Sequence, residues 1–153
     1  MKTTAFALLL GVLLSGCATH HVHYDAVQGE SANSTYTLKE SCYVFRYNQD
    51  KRSIPFVGGV LLDVGARSGG LPRVVSETYN GRQFGDKVIL GVLPEGMEFK
   101  IETIKTESNF ETGPMKSPII RPLGPTQQKW PLLDATWISD RLYPERIHPA
   151  YLK

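Results

Sequence analysis

The clearest hydrophobic pattern in the chain lies between residues 87 and 104. The segment KVILGV, Lys87 to Val92, is a short apolar run that predicts a buried strand. A turn with proline and glycine, Leu93 to Gly96, separates it from MEFKIET, which alternates strictly between apolar and polar residues. This alternation predicts a strand with one face turned inwards, formed by Met97, Phe99 and Ile101. Ile104 continues the pattern one step out of phase, which predicts a bulge.

A second strand is predicted over LKESCYVFRY, Leu38 to Tyr47. In this segment the aromatic residues alternate, so Tyr43, Phe45 and Tyr47 share one face, and Cys42, Val44 and Arg46 share the other. A further strand is predicted within LLDATWISD, after residue 131. Together these segments predict a small, mainly β domain with mostly antiparallel pairing. A five- or six-stranded barrel would bury the apolar faces and protect most strand edges.

Two regions lack such a pattern. Residues 18–37 are polar and low in aliphatic side chains, which predicts a flexible tether with an r.m.s. span of about 25 Å. Residues 109–132 hold five of the ten prolines. Because proline cannot donate to a β-ladder, this stretch predicts a long irregular loop, a kind of segment that is usually functional. The expected organisation is a lipidated cysteine and tether at 17–37, followed by one β-rich domain at 38–153.

The first 17 residues carry the features of a secreted lipoprotein. Lys2 precedes a ten-residue apolar core, Ala5 to Leu14, which is too short to span a bilayer and is typical of a signal peptide over residues 1–16. Leu14-Ser15-Gly16-Cys17 resembles the bacterial lipobox. The resemblance implies cleavage before Cys17, a diacylglyceryl group on its sulfur and an acyl (palmitate-type) chain on its new amino group, which together anchor the chain firmly. Ala18, where an aspartate would retain the protein in the inner membrane, implies a lipid anchor in the outer membrane and a domain facing the periplasm.

Charge and cysteine content narrow the possibilities further. Loss of Lys2 with the signal leaves 16 Lys and Arg residues against 15 Asp and Glu, so the mature chain is nearly neutral and no nucleic-acid partner is expected. With Cys17 lipidated, Cys42 is the one remaining cysteine and cannot form an intramolecular disulfide. Cys42 is then a small buried apolar residue, an intermolecular disulfide partner or a reactive thiol. The Gly pairs at 58–59 and 69–70 lack nucleotide-binding spacing, and no cofactor is expected.

Two short segments are similar to bacterial SH3-like domains. GVLPEGMEFKI, Gly91 to Ile101, looks like their strand-turn-strand unit, and RIHPAYL, Arg146 to Leu152, is similar to their closing strand and single turn. These segments cover 18 of the 137 residues that follow the signal peptide, and both the proline-rich stretch and the length depart from the pattern. The resemblance implies an SH3-like barrel that binds a partner, although a fold alone does not determine function.

An enzymatic alternative centres on Asp63. LLDVGA, Leu61 to Ala66, resembles the active-site loop of retropepsin-like aspartic proteases. The chemistry needs two aspartates that share one proton, so the resemblance implies a dimer with one aspartate from each chain. Val64 stands where that family has a hydroxyl residue, and the competing interpretation is an aspartate in a glycine-rich turn.

Two further groups of side chains are candidate binding residues. His20, His21 and His23 are imidazoles of the kind that bind Zn, Cu or Ni, but a flexible tether would not hold them in a fixed geometry, so no metal site is assigned. The aromatic residues Trp130, Trp137 and Tyr143 lie in and after the proline-rich stretch, and such residues are typical interface anchors. Trp137 within ATWI also fits a core position, and Trp130 fits either environment.

The leading hypothesis is therefore an outer-membrane lipoprotein that acts as a non-enzymatic binding or assembly module of the cell envelope. Its expected partners are the membrane, through the lipid anchor, and a neighbouring envelope protein or peptidoglycan. The alternatives are a hydrolase, such as a dimeric aspartic protease using Asp63, and a metal-handling lipoprotein using the three histidines. The sequence leaves the oligomeric state open.

Overall fold

The computed structural model describes residues 21–50, 53–59, 71–109 and 113–153. Cys17, His20 and Asp63 therefore lie outside the described residues. The described strands are β1 His21–Ala26, β2 Tyr36–Thr37, β3 Cys42–Tyr47, β4 Phe56–Gly58, β5 Gln83–Phe84, β6 Lys87–Leu93, β7 Glu98–Asn109, β8 Gly113–Pro122 and β9 Leu133–Asp134. A four-residue helix, α1 at Thr126–Lys129, and four short 3-10 helices, at Gly29–Ala32, Glu77–Tyr79, Thr136–Ile138 and Pro149–Tyr151, complete the described elements. Over these ranges no helix is both long enough and apolar enough to cross a membrane.

The strands form one sheet in the order β1-β7-β8-β9-β4-β3-β6-β5, with β2 beside β1 on the same edge of β7. All the pairings are antiparallel except that of β4 with β9. The prediction of a mainly β fold is confirmed. The sheet is not closed into a barrel, because β1 and the two-residue β5 end the strand order without pairing to each other in the described part. The closing segment forms an isolated bridge at Ile147, rather than a strand, and then a single turn at Pro149–Tyr151.

The predicted strands on either side of the Pro/Gly turn are present. The inward face of β7 is buried at Met97, Phe99 and Ile101, and the register between β7 and β8 shifts between Ile101 and Thr103, so the predicted bulge is confirmed. The turn itself lies one residue later than predicted. The Met97 amide donates to the Pro94 carbonyl at 3.2 Å, and Gly96 has a φ of +81°, which glycine adopts at little cost.

The prediction of an irregular loop over residues 109–132 is wrong for its first half, where β8 pairs with β7 along its whole length. Pro114, Pro118 and Pro122 are four residues apart, so their missing N–H groups all point to the same side of the strand. That side faces away from β7. The Pro118 carbonyl points to it and accepts from the Ala135 amide at 2.9 Å, whereas Leu123, one residue after Pro122, donates its amide to the Glu98 carbonyl of β7. Proline is tolerated in a strand where no ladder donor is required.

The prediction of a flexible tether over residues 17–37 is also wrong where the structure describes it. β1 pairs with β7 from His21↔Ser108 to Ala26↔Thr103, so the sheet already includes residues well before residue 38. All six side chains of β1 are exposed. Because backbone hydrogen bonds rather than apolar burial hold this strand in place, the hydrophobic pattern contained no signal for it.

Both faces of the central strands are covered. The register between β3 and β6 shifts between Val44 and Phe45, but the side chains of β3 still alternate between the two faces of the sheet. Cys42 and Val44 belong to the main apolar core, together with Leu93, Phe99 and Tyr151. The predicted aromatic face of β3 lies on the other side of the sheet, where Phe45 lines a cleft.

Candidate functional site

A cleft of about 640 Å³ lies beside Phe45, on the aromatic face of β3. We call it the aromatic cleft. Its apolar lining comes from Phe45, Leu71, Pro114, Met115, Trp137 and Pro144. Its charged lining comes from Lys87, Lys116, Asp140 and Arg141. A mostly apolar hollow of this size with a few charged groups is typical of a ligand or peptide site.

Four aromatic rings form the floor of the aromatic cleft and the layer next to it. Phe45 stacks on Phe56 with a centroid separation of 5.7 Å and meets Tyr47 and Trp137 edge-on, each at 6.1 Å. Tyr47 also meets Phe56 edge-on at 5.4 Å. Such pairs hold each other in fixed orientations and give a rigid apolar surface.

Gly58 makes room for this aromatic layer. A Cβ atom at Gly58 would lie 2.8 Å from Cε1 of Phe45 and 3.0 Å from Cδ1 of Leu71. The glycine pair at 58–59, which lacks nucleotide-binding spacing, therefore has a packing role.

A buried lysine lies beside the rings. Lys87 is only 4% exposed, and its Nζ atom lies 5.0 Å from the Tyr47 ring centroid and 5.4 Å from that of Trp137. The ammonium is also 3.0 Å from Oδ1 of the exposed Asp86. Burial raises the pKa of Tyr47, and the carboxylates of Asp86 and Asp134 raise it further, so the phenol stays protonated and neutral.

A second lysine joins the aromatic layer to the sheet. The Lys105 ammonium pairs with the Asp134 carboxylate, lies 3.0 Å from Oε2 of Glu107 and sits 5.7 Å from the Phe56 centroid. Asp134 is 2% exposed and also accepts hydrogen bonds from the amide (3.0 Å) and hydroxyl of Thr136. Burial by itself would lower the pKa of Lys105, but the two carboxylates outweigh it and the pKa is raised. The pair is a structural clamp between β7 and β9, because each charge is already satisfied by its neighbour.

The rim of the aromatic cleft is a short preorganised loop, residues 139–147, which we call the rim loop. The Asp140 carboxylate accepts from the amides of Leu142 (2.8 Å) and Tyr143 (3.2 Å), and those bonds lower its pKa. A bridge between Ser139 and Ile147 closes the loop. Leu142 is 84% exposed and Tyr143 is 53% exposed, so the loop presents two large apolar side chains to solvent.

The three aromatic residues predicted to form one contact surface are divided between the two sides of the sheet. Trp137 lines the aromatic cleft, and Tyr143 lies on the rim loop with the Arg146 guanidinium 5.0 Å above its ring. Trp130 packs against the main core, where its ring occupies the space above Gly91. Gly91 pairs with Val44, whose side chain points away from the Phe45 side, so Trp130 is not part of the aromatic cleft.

The remaining candidates fall outside the aromatic cleft. His21 and His23 lie exposed on β1, with Nε2 of His23 3.0 Å from Oδ1 of Asp25. Among the described residues no group of three or more His, Cys, Asp or Glu side chains is placed to hold a metal ion. Cys42 is fully buried, and burial raises its pKa to about 12, so its thiol is an inert core group in the folded domain. The hypothesis of a protease centred on Asp63 stays a prediction.

Sequence reasoning identified the aromatic face of β3 but missed the two lysines beside it. A signal for Lys87 was present, because Lys87 and the buried Ile89 are two residues apart on one strand and so share a face. No such local signal existed for Lys105, which is half-buried against Asp134 and Phe56 from distant parts of the chain.

The chain was also compared with known proteins. No protein-family model matches it, and neither does any curated protein or solved structure.

Proposed function

We propose that this protein is an outer-membrane lipoprotein whose β domain is a non-enzymatic binding module, and that it captures a segment of a partner protein in the aromatic cleft. The observation that carries the proposal is the cleft itself. The aromatic floor and the volume of about 640 Å³ allow a side chain of the partner to be buried in the cleft. Exposed Leu142 and Tyr143 on the rim loop offer further apolar contacts. Buried contacts of this kind dominate binding energy at interfaces.

The charges of the cleft define the chemistry of the partner. Its solvent-accessible charged lining consists of two cations, Lys116 and Arg141, and one carboxylate, Asp140, because the Lys87 ammonium is buried and already pairs with Asp86. The Asp140 carboxylate is already engaged by two amides of the rim loop. The cleft therefore favours an extended segment that carries an aromatic or aliphatic side chain next to an acidic group.

Support for the anchor comes from the amino terminus of the sequence. Leu14 to Cys17 resembles a lipobox behind a short apolar core, and Ala18 follows the cysteine. We expect incorporation of labelled palmitate into the protein, and its loss in Cys17→Ser. Labelling that persists in Cys17→Ser would contradict this assignment.

The binding role can be tested by photo-crosslinking in cells. A photoreactive phenylalanine analogue replaces Leu142 at the rim loop, and the matched control places the same group at Gln128, an exposed position on α1 beside Trp130 and thus on the other side of the sheet. We expect a discrete protein adduct from position 142 and none from position 128. Trp137→Ala should reduce the adduct at 142, while a melting curve verifies that the variant is folded.

The alternative outcomes are distinguishable. Adducts of glycan-peptide fragments at position 142 would make the domain a peptidoglycan-binding module instead. Equal adducts at both positions, or none at 142 in a correctly localised protein, would overturn the proposed role of the aromatic cleft.

A further inference from the structure

Strand β1 lies very close in sequence to the proposed lipid anchor. Only residues 18–20 separate Cys17 from His21, the first residue of β1. Four residue steps span at most about 14 Å even when fully extended. If Cys17 is lipidated, as the proposed function requires, His21 lies within that distance of the lipidated sulfur, and the domain cannot move freely away from the bilayer.

The register of the sheet identifies which end of the domain is held there. His21 pairs with Ser108 near the end of β7, and Ser108 pairs with Pro114 at the start of β8. The opposite end of β7, at Glu98, lies ten residues away, which is about 34 Å along a strand. The end of the sheet formed by β1, β7 and β8 therefore faces the membrane, and the turn at Pro94 to Gly96 faces away from it.

Exposed apolar side chains are concentrated at this end. Val22 on β1 and Met115 on β8 both pair with Glu107 on β7, so their side chains lie on the same face of the sheet. Tyr24, two residues after Val22 on β1, lies on that face as well. They are 45%, 53% and 51% exposed, respectively. These three are half of the six large hydrophobic side chains exposed in the described ranges, and we call them the anchor patch.

The charges around the anchor patch do not oppose contact with lipid. Oε2 of Glu107 lies 3.0 Å from the Lys105 ammonium, and Oδ1 of Asp25 lies 3.0 Å from Nε2 of His23. These two described carboxylates are thus already engaged. Lys116, next to Met115, is exposed and suits anionic headgroups. Met115 and Lys116 also line the aromatic cleft, so the anchor patch adjoins the cleft at this end of β8.

We infer that the anchor patch is a lipid-contact surface, which inserts into the headgroup region of the membrane that carries the anchor and sets the orientation of the domain. Three side chains are too few to hold a free protein on a bilayer. A short link to an anchored lipid makes the contact effectively intramolecular, so that a weak patch remains engaged. Tyrosine is well suited to such an interface, because its ring is apolar and its hydroxyl stays hydrated.

The test uses the full-length lipidated protein in vesicles of phosphatidylethanolamine and phosphatidylglycerol. A polarity-sensitive fluorophore is attached at Met115→Cys, and the matched control carries it at Glu95→Cys at the opposite end of the sheet. Cys42 is buried and the sulfur of Cys17 is alkylated, so the introduced thiol is the one that reacts. Nitroxide groups near the lipid headgroups should quench the fluorophore at position 115 strongly and leave that at position 95 at its value in solution.

A second variant separates contact from mere proximity. Val22→Thr combined with Tyr24→Thr removes the apolar side chains of β1 and places threonine, a β-branched residue that suits a strand, at both positions. The double variant should keep its melting temperature and its anchor but lose most of the quenching at position 115.

Three results would count against the inference. Equal quenching at positions 115 and 95, or undiminished quenching in the double variant, would overturn the lipid contact alone. Mass spectrometry showing no lipid on Cys17 would overturn the proposed anchor and this inference together.

Discussion

Substitution of Gly59 by alanine should destabilise the domain more than any other single-methyl addition at a described glycine. Gly59 follows β4, and a Cβ atom there would overlap the Cε1, Cζ and Oη atoms of Tyr151. The Tyr151 ring is fully buried in the main core and cannot swing aside. Gly58 is less crowded, since its Cβ would approach the Phe45 ring to 2.8 Å.

The magnitude follows from two opposing effects. Inserting a methyl group into a packed core costs about 1–3 kcal/mol or more. Because the backbone at Gly59 is not in the left-handed region, alanine gains back roughly 0.4–1 kcal/mol by restricting the unfolded chain. All three overlapping atoms belong to one fully buried side chain, so the steric cost lies at the upper end of its range and we expect a net loss of about 2–2.6 kcal/mol. For a domain of this size that lowers Tm by about 7–10 °C.

A double-mutant cycle isolates the cause. Gly59→Ala is measured by thermal and urea denaturation in the parent and in Tyr151→Leu, which removes the ring. We expect the cost of the alanine to fall below about 1 kcal/mol in the Tyr151→Leu background. Gly124→Ala, where nothing lies within 4 Å of the added atom but φ is +66°, measures backbone strain without crowding. An equal cost for Gly59→Ala in both backgrounds would refute the steric argument.

Two other properties of the fold can be checked in the same material. Lys105→Met leaves Asp134 buried without its cation and should lower the free energy of unfolding by about 3–5 kcal/mol. Glu107→Gln removes the more exposed partner of Lys105 and should lower it by less than about 1 kcal/mol. Because the pKa of Lys105 is raised in the fold, its contribution is fully present below the ordinary lysine value of about 10.4 and is lost as the pH rises through the folded pKa. The gap in urea-derived stability between parent and Lys105→Met should therefore narrow at strongly alkaline pH; a constant gap would contradict the ion-pair assignment. Cys42, with its pKa of about 12, should resist Ellman's reagent in the native protein and react only on unfolding, so rapid native modification would place it at the surface.

Much of the sheet was predictable because its signals are local. The alternation in MEFKIET depends only on neighbouring residues, and a step out of phase at Ile104 was enough to locate the bulge in β7. The aromatic face of β3 was predictable for the same reason, and that face is the floor of the aromatic cleft. Within the candidate site, Trp137 and Tyr143 were identified from residue type alone, but their separation from Trp130 was not.

The sequence by itself determined the elements whose side-chain pattern has a period of two: β6, β7 and the aromatic face of β3. Only the tertiary structure decided the elements whose stability depends on a distant neighbour. β8 is a strand because its prolines all direct their missing donors away from β7, and β1 is a strand because β7 offers it a free edge. Lys87 is buried against rings from other parts of the chain, and Lys105 is half-buried beside a ring and a carboxylate from other strands. The physical reason is the same in each case: hydrogen bonding and charge burial depend on which partner lies across the sheet, and a linear pattern of hydrophobicity does not contain that information.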